Sequence, residues 1–178
     1  FGADREVLWA HRSGGLLDDG WNTIASDGAG GAIVGGWFES PSVDLGNDSF
    51  VSQDDNCILL DCGDLLLARI DETGALTWAN TFGGNQGERF ASLHSGEGLF
   101  NVVGSFGSWG IDLGGELILM QETICGPMFG CSDLFAASYS LAGEHLWSEG
   151  FGGDLLDTTL SGAPAPADGI LFVGEFSS

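Results

Sequence analysis

Four cysteines are the residues best placed to do chemistry: Cys57 and Cys62 in CILLDC, and Cys125 and Cys131 in CGPMFGC. Paired thiols close a disulfide or grip a metal. Structural zinc is usually held by C-x2-4-C pairs with four ligands brought together. Here the second pair is spaced C-x5-C and the two pairs lie far apart in sequence, so zinc is the second reading. An even count, local pairs and an acidic, lysine-free composition favour one disulfide within each pair, as in secreted proteins. Closing so small a loop constrains the unfolded chain by about 2 kcal/mol on the chain-entropy model. Pairing Cys62 with Cys131 would need their Cα atoms within about 7 Å.

Other candidate groups are dispersed. His11, His94 and His145 share no motif. No serine sits in a G-x-S-x-G elbow, the frame of one large hydrolase class. The first connection holds Asp44, Asp48, Asp54, Asp55, Asp61 and Asp64 and the second Asp112, Glu116, Glu122 and Asp133, of which only Asp44/Asp112 and Asp64/Asp133 recur in register. They never form a D-x-[DN]-x-[DN]-G calcium loop, which leaves calcium as a weak possibility and no cofactor as the expectation. Aspartates of this kind also end strands and cap turns. Asn47-Asp48-Ser49 is a formal glycosylation sequon.

Composition narrows the function classes. The chain has 178 residues, 26 acidic and four basic, with a formal net charge of −22. All four basic residues are arginine. Such a field repels nucleic acid and anionic membranes. Without lysine this segment builds no Schiff base, phosphate-loop lysine or Ser-Lys nucleophile. Hydrophobic residues make up 43%, too many for a disordered tract. No apolar run approaches the roughly 18 residues of a membrane span. The expectation is an extracellular, periplasmic or cell-surface protein without membrane insertion, and a piece of something longer.

The elements that must position these residues come in repeats. Trp9, Trp78 and Trp147 stand 69 residues apart, and Gly14-Gly15, Gly83-Gly84 and Gly152-Gly153 follow at one offset. A fixed period of this kind signals one structural unit per repeat. Cys62/Cys131 and Asp64/Asp133 keep the interval of 69, while Asp44/Asp112 and Cys57/Cys125 slip to 68. The units read as 9–77, 78–146 and a partial 147–178, with 1–8 ending a preceding one.

Each unit reads as four short strands and no helix. Strands are expected over 21–26 and 89–94, over 31–38, 99–106 and 170–176, over 64–71 and 133–140, and through each Trp into its Gly-Gly pair. Aligning the second strands at their glycines makes Gly35, Gly104 and Gly174 equivalent. Gly74 and Gly143 read as tight hairpin turns. Long connections, 39–63 and 107–132, carry VDLG and IDLG. Removing about 25 connecting residues from the unit leaves about 44, the size of a four-stranded propeller blade.

Trp78, Phe82-Gly83-Gly84, Val103-Gly104-Ser105-Phe106, Asp133-Leu134-Phe135-Ala136-Ala137 and Gly143-Glu144-His145-Leu146-Trp147 together resemble the bacterial seven-bladed β-propeller (SBBP-type) repeat family. Ser13 replaces the phenylalanine of Phe82 and Phe151, and Ser140-Leu141-Ala142-Gly143 replaces Asp71-Glu72-Thr73-Gly74. The resemblance implies an all-β, extracytoplasmic propeller scaffold and supplies no shared catalytic set. The repeated tryptophans are expected to pack between sheets. Trp37 and Trp109, which do not recur, are the candidates for sugar stacking. The sequence therefore reads as a non-enzymatic interaction module whose loops meet a protein, a glycan or another copy. Its alternatives are a polysaccharide-acting enzyme using paired carboxylates and a self-assembling filament subunit.

Overall fold

A computed structural model describes residue 4 and residues 6–53, 63–120, 131–166 and 169–177. The described residues contain fifteen strands and no helix, so none is a helix able to cross a membrane. The strands are β1 (Ser13–Gly14), β2 (Asp19–Ser26), β3 (Ala32–Phe38), β4 (Ser42–Leu45), β5 (Asp48–Val51), β6 (Asp64–Ile70), β7 (Leu76–Phe82) and β8 (Glu88–Ser95). There follow β9 (Leu99–Phe106), β10 (Gly110–Ile111), β11 (Ile118–Leu119), β12 (Asp133–Ser140), β13 (His145–Phe151), β14 (Thr158–Pro164) and β15 (Ile170–Glu175).

Two four-stranded antiparallel sheets dominate, in the orders β2-β3-β6-β7 and β8-β9-β12-β13. The β14–β15 hairpin repeats the first two strands of each. The sheets run from Asp19 to Phe82 and from Glu88 to Phe151, so each is offset from the Trp-to-Trp unit and ends on the strand that carries the tryptophan. The third strands, DLLLARI and DLFAASYS, are buried almost throughout. Their near-continuous apolar character fits a strand covered on both faces.

The period extends into backbone irregularities. One residue bulges from the first strand of both four-stranded sheets and of the β14–β15 hairpin, between Trp21 and Thr23, Phe90 and Ser92, and Thr159 and Ser161. Facing these bulges are Gly36, Gly104 and Gly174. A Cβ there would come within 2.2, 2.2 and 2.4 Å of the carbonyl oxygens of Gly20, Arg89 and Thr158. Gly36, rather than Gly35, is therefore the counterpart of Gly104 and Gly174. Aligning on Gly35 fails because the second strands are offset by 68 and 70 residues while the first strands keep 69.

Consecutive sheets stack face to face, with β2 against β8 and β8 against β14. The main core lies between the two four-stranded sheets: Ile33, Leu65 and Leu67 meet Phe90, Leu93, Phe100, Val102, Phe135 and Tyr139. The described residues of the long connections include short strands. VDLG lies in the β4–β5 hairpin, which also pairs with β1, and IDLG enters the β10–β11 ladder. Val43, Leu45, Ile111 and Leu113 are buried while Asp44 and Asp112 are exposed. The alternation is that of a strand with one covered face, so these recurring aspartates point to solvent from a packed motif.

Candidate functional site

The recurring polar residues converge where one sheet meets the next. Asp19, Glu88 and Asp157 stand 69 apart, each near the start of the first strand of a sheet. The Ser40 hydroxyl donates to Asp19 Oδ2 at 2.8 Å, and the Ser40 N–H donates to Asp19 Oδ1 at 3.2 Å. In the second sheet the Ser108 hydroxyl donates to Glu88 Oε1. In the hairpin, Asp157 Oδ1 accepts the Ser177 N–H at 2.8 Å. The serines are held as well: Ser40 Oγ accepts the Leu17 N–H and Ser108 Oγ accepts the Gln86 N–H, at 2.8 and 3.0 Å. Leu17 and Gln86 are again 69 apart. Sequence reasoning missed this acid–serine latch, although the interval from Asp19 to Glu88 to Asp157 was open to the same ruler as the tryptophans.

The Gly-Gly pair acquires a physical cause here. A Cβ on Gly83 would lie 1.9 Å from Asp64 Oδ1, and one on Gly152 2.1 Å from Asp133 Oδ1. The second glycine faces the other way: a Cβ on Gly84 would lie 2.3 Å from Ser108 Oγ, and one on Gly15 2.6 Å from Ser40 Oγ. The Gly83-Gly84 pair thus lets the backbone pass between a buried acid of one sheet, Asp64, and the latch serine of the next, Ser108. Two inter-sheet backbone bonds accompany it, Glu88 N–H to the Gly63 carbonyl and Asp157 N–H to the Ser132 carbonyl, both 2.8 Å.

The electrostatics of these acids follow from burial and donors. Asp64, fully buried, takes the Gln53 N–H at 2.5 Å, yet loss of solvent dominates and holds its pKa above the ordinary value. Asp27, at the β2–β3 turn, also suffers burial, which acts to raise its pKa. The N–H groups of Ala29 and Gly31, together with the Arg69 guanidinium 2.8 Å away, outweigh that and lower it. Arg69 reaches on to the Leu141 carbonyl of the next sheet at 3.3 Å. The Tyr139 hydroxyl donates to the Leu113 carbonyl at 2.8 Å, and burial, aided by the Asp112 charge, pushes its pKa far up.

The tryptophans pack across sheets. Trp78 covers Gly143 and Trp9 covers Gly74, with closest would-be Cβ contacts of 2.9 and 2.7 Å. Asn80 Nδ2 donates to the Gly143 carbonyl at 3.3 Å, and His11 bonds the Gly74 carbonyl at the matching position. Trp147 is 39% exposed and Trp109 52% exposed, while Trp37 lies under the Arg89 guanidinium at 4.0 Å. His11 and His94 line one trough of about 650 Å³ beside β2, with Trp9, Trp21 and Ile24. His145 packs on Tyr139 and bonds Ser148.

Cys131 is buried and is not a free thiol; Cys57, Cys62 and Cys125 lie outside the described residues. So do Asp54, Asp55, Asp61 and Glu122, while Asp44, Asp48 and Glu116 are exposed. No group of three or more His, Cys, Asp or Glu side chains arranged to hold a metal occurs among the described residues. No protein-family model matches the chain, and no curated protein matches it.

Proposed function

We propose that the chain is a non-enzymatic, extracellular β-propeller-repeat scaffold, each four-stranded sheet serving as a blade and each long connection as a disulfide-pinned recognition loop. The observation that carries this reading is the fate of the recurring acids. Asp19, Glu88 and Asp157 are each tied to a serine of their own sheet, and Asp64 and Glu88 are shut from water. Residues repeated once per unit and fully buried support a role in joining blades, since a catalytic carboxylate must reach its substrate. The partner classes are a protein, a glycan or another copy of the chain.

Disulfides Cys57–Cys62 and Cys125–Cys131 belong to the same reading, and alkylation followed by mass measurement is expected to label these cysteines only after reduction. The decisive experiment pairs binding with turnover. Immobilised acidic and neutral polysaccharides and a set of extracellular proteins are offered to the chain and to a variant with both connections replaced by short Gly-Ser turns. Retention by the parent, loss in the variant and no release of new reducing ends are the expected results. Glycan cleavage abolished by Asp64→Asn or Glu88→Gln would establish the enzyme reading instead.

A further inference from the structure

The turn of the β4–β5 hairpin is Gly46-Asn47, since Leu45 pairs with Asp48. Gly46 takes a φ of 68°, and Asn is one of the residues that suit such tight turns. Asn47, Asp48 and Ser49 are all exposed, and a Cβ on Gly46 would meet no described atom within 4 Å. Val43 and Phe50 pack inward, while Asp44 and Ser49, paired on the ladder, face water. The hairpin thus holds up a whole Asn-x-Ser sequence, amide and hydroxyl together, at its tip.

The second unit treats the same tip differently. By the interval of 68 that relates Asp44 to Asp112, Gly46 matches Gly114 and Asn47 matches Gly115. A Cβ on Gly115 would lie 2.3 Å from His145 Cε1, so that tip is pressed on β13 and has no room for a side chain. Gly114, Gly115 and Glu116 are nonetheless exposed with the first sheet in place ahead of them. A sheet preceding the first one would, by the same geometry, leave Asn47 open.

We infer that Asn47 is a site of N-linked glycosylation. The inference rests on the extracellular reading, because lipid-linked oligosaccharides are presented on the non-cytosolic side of a membrane. Asn47 Nδ2 bonds to the anomeric carbon of an oligosaccharide carried on a polyisoprenyl pyrophosphate, and the bond from that carbon to the pyrophosphate oxygen breaks. The amide gives up one proton, which leaves with the lipid pyrophosphate, and a membrane oligosaccharyltransferase reads the Ser49 hydroxyl. The sugar is bulky and solubilising. It stands beside β5, the outer strand of its sheet among the described residues, where it hinders pairing of that edge with another chain.

Mass spectrometry of the chain as its own cells export it, with electron-transfer fragmentation of the peptide holding Asn47, tests this. The expected result is a hexose-containing mass on Asn47, lost in both Asn47→Gln and Ser49→Ala made in the same cells. Both positions are exposed, so the variants are expected to melt like the unglycosylated parent. Unmodified Asn47 in every peptide overturns the inference, as does a glycan that persists in either variant. Alkylation of the same sample separates the two readings: cysteines labelled only after reduction, with Asn47 bare, sink the glycan alone. Cysteines labelled without reduction, with Asn47 bare, sink the extracellular reading as well.

Discussion

The indole of Trp78 lies over Gly143, and its Nε1–H donates to the neighbouring Leu141 carbonyl at 3.0 Å. One residue of the outer strand of the first sheet thereby closes on the hairpin turn of the second. Gly143 has a φ of 82°, which a residue with a Cβ adopts at a cost of about 1–2 kcal/mol. The same Cβ would also strike the indole at 2.9 Å. Gly143→Ala is therefore expected to destabilise the fold by about 2–3 kcal/mol and to shift the tryptophan fluorescence, both read in one thermal melt. A variant that melts like the parent would disprove the contact.

The latch predicts unequal losses. Ser108→Ala removes the hydroxyl that Glu88 accepts, inside a fully buried interface, and is expected to cost about 1–3 kcal/mol. Ser40→Ala leaves Asp19 with the N–H groups of Ser40 and Gly15, so its loss should be the smaller of the two. Urea unfolding of both variants gives the order, and the reverse order would show that the serine latch is not what holds these acids.

Asp27 and Asp64 make opposite contributions to the pH dependence of stability. The pKa of Asp27 is lowered on folding, so its contribution is present above the unfolded value near 3.9 and is lost as pH falls through the folded value. The pKa of Asp64 is raised, so folding is disfavoured as pH rises from the unfolded value through the folded one. Asp64→Asn should raise the unfolding midpoint at neutral pH, with the gain vanishing below about pH 4. Arg69→Ala should lower the stability by about 2 kcal/mol at neutral pH, with the loss shrinking in acid as Asp27 protonates. Melts from pH 3 to pH 8 separate the two.

Tyr139 joins the second sheet to the connection that follows β9, since its hydroxyl bonds the Leu113 carbonyl. Tyr139→Phe keeps the ring packed between Phe82 and Phe100 and removes only the bond. A loss of about 1 kcal/mol is expected, with faster hydrogen exchange over residues 110–119 than over β12. Uniform exchange along the chain would place the loss elsewhere.

Of two replacements between repeats that look disruptive in sequence, one keeps its structural role and the other exchanges it for a different contact. Asp71 and Ser140 both accept N–H groups of the turns that follow them, so either short polar residue caps the hairpin. Ser13, where Phe82 and Phe151 stand in later units, accepts the Trp21 indole N–H at 2.6 Å. Phe82 and Phe151 instead reach aromatic rings of the following sheet, Tyr139 at 5.9 Å and Phe172 at 5.2 Å.

Period, the strands of the two four-stranded sheets and the turn glycines are legible in the amino-acid sequence alone, because each depends on neighbours within a few residues or on a repeat that counting exposes, whereas β4, β5, β10 and β11 lie in stretches that read as connections. The expected third strand over 133–140 is β12 itself, and Gly74 and Gly143 sit in their turns at positive φ. What only the tertiary structure decided concerns groups that meet across sheets. Gly83 and Gly84 serve different neighbours, Asp64 and Ser108, and the latch joins residues about 20 positions apart, Ser40 with Asp19 and Ser108 with Glu88. Gly36, not Gly35, faces the bulge, because an added residue in one strand changes the partner of every residue beyond it. Burial of Asp64 and exposure of Ile24 likewise follow from which sheet lies against which, and no local pattern of residue types encodes that.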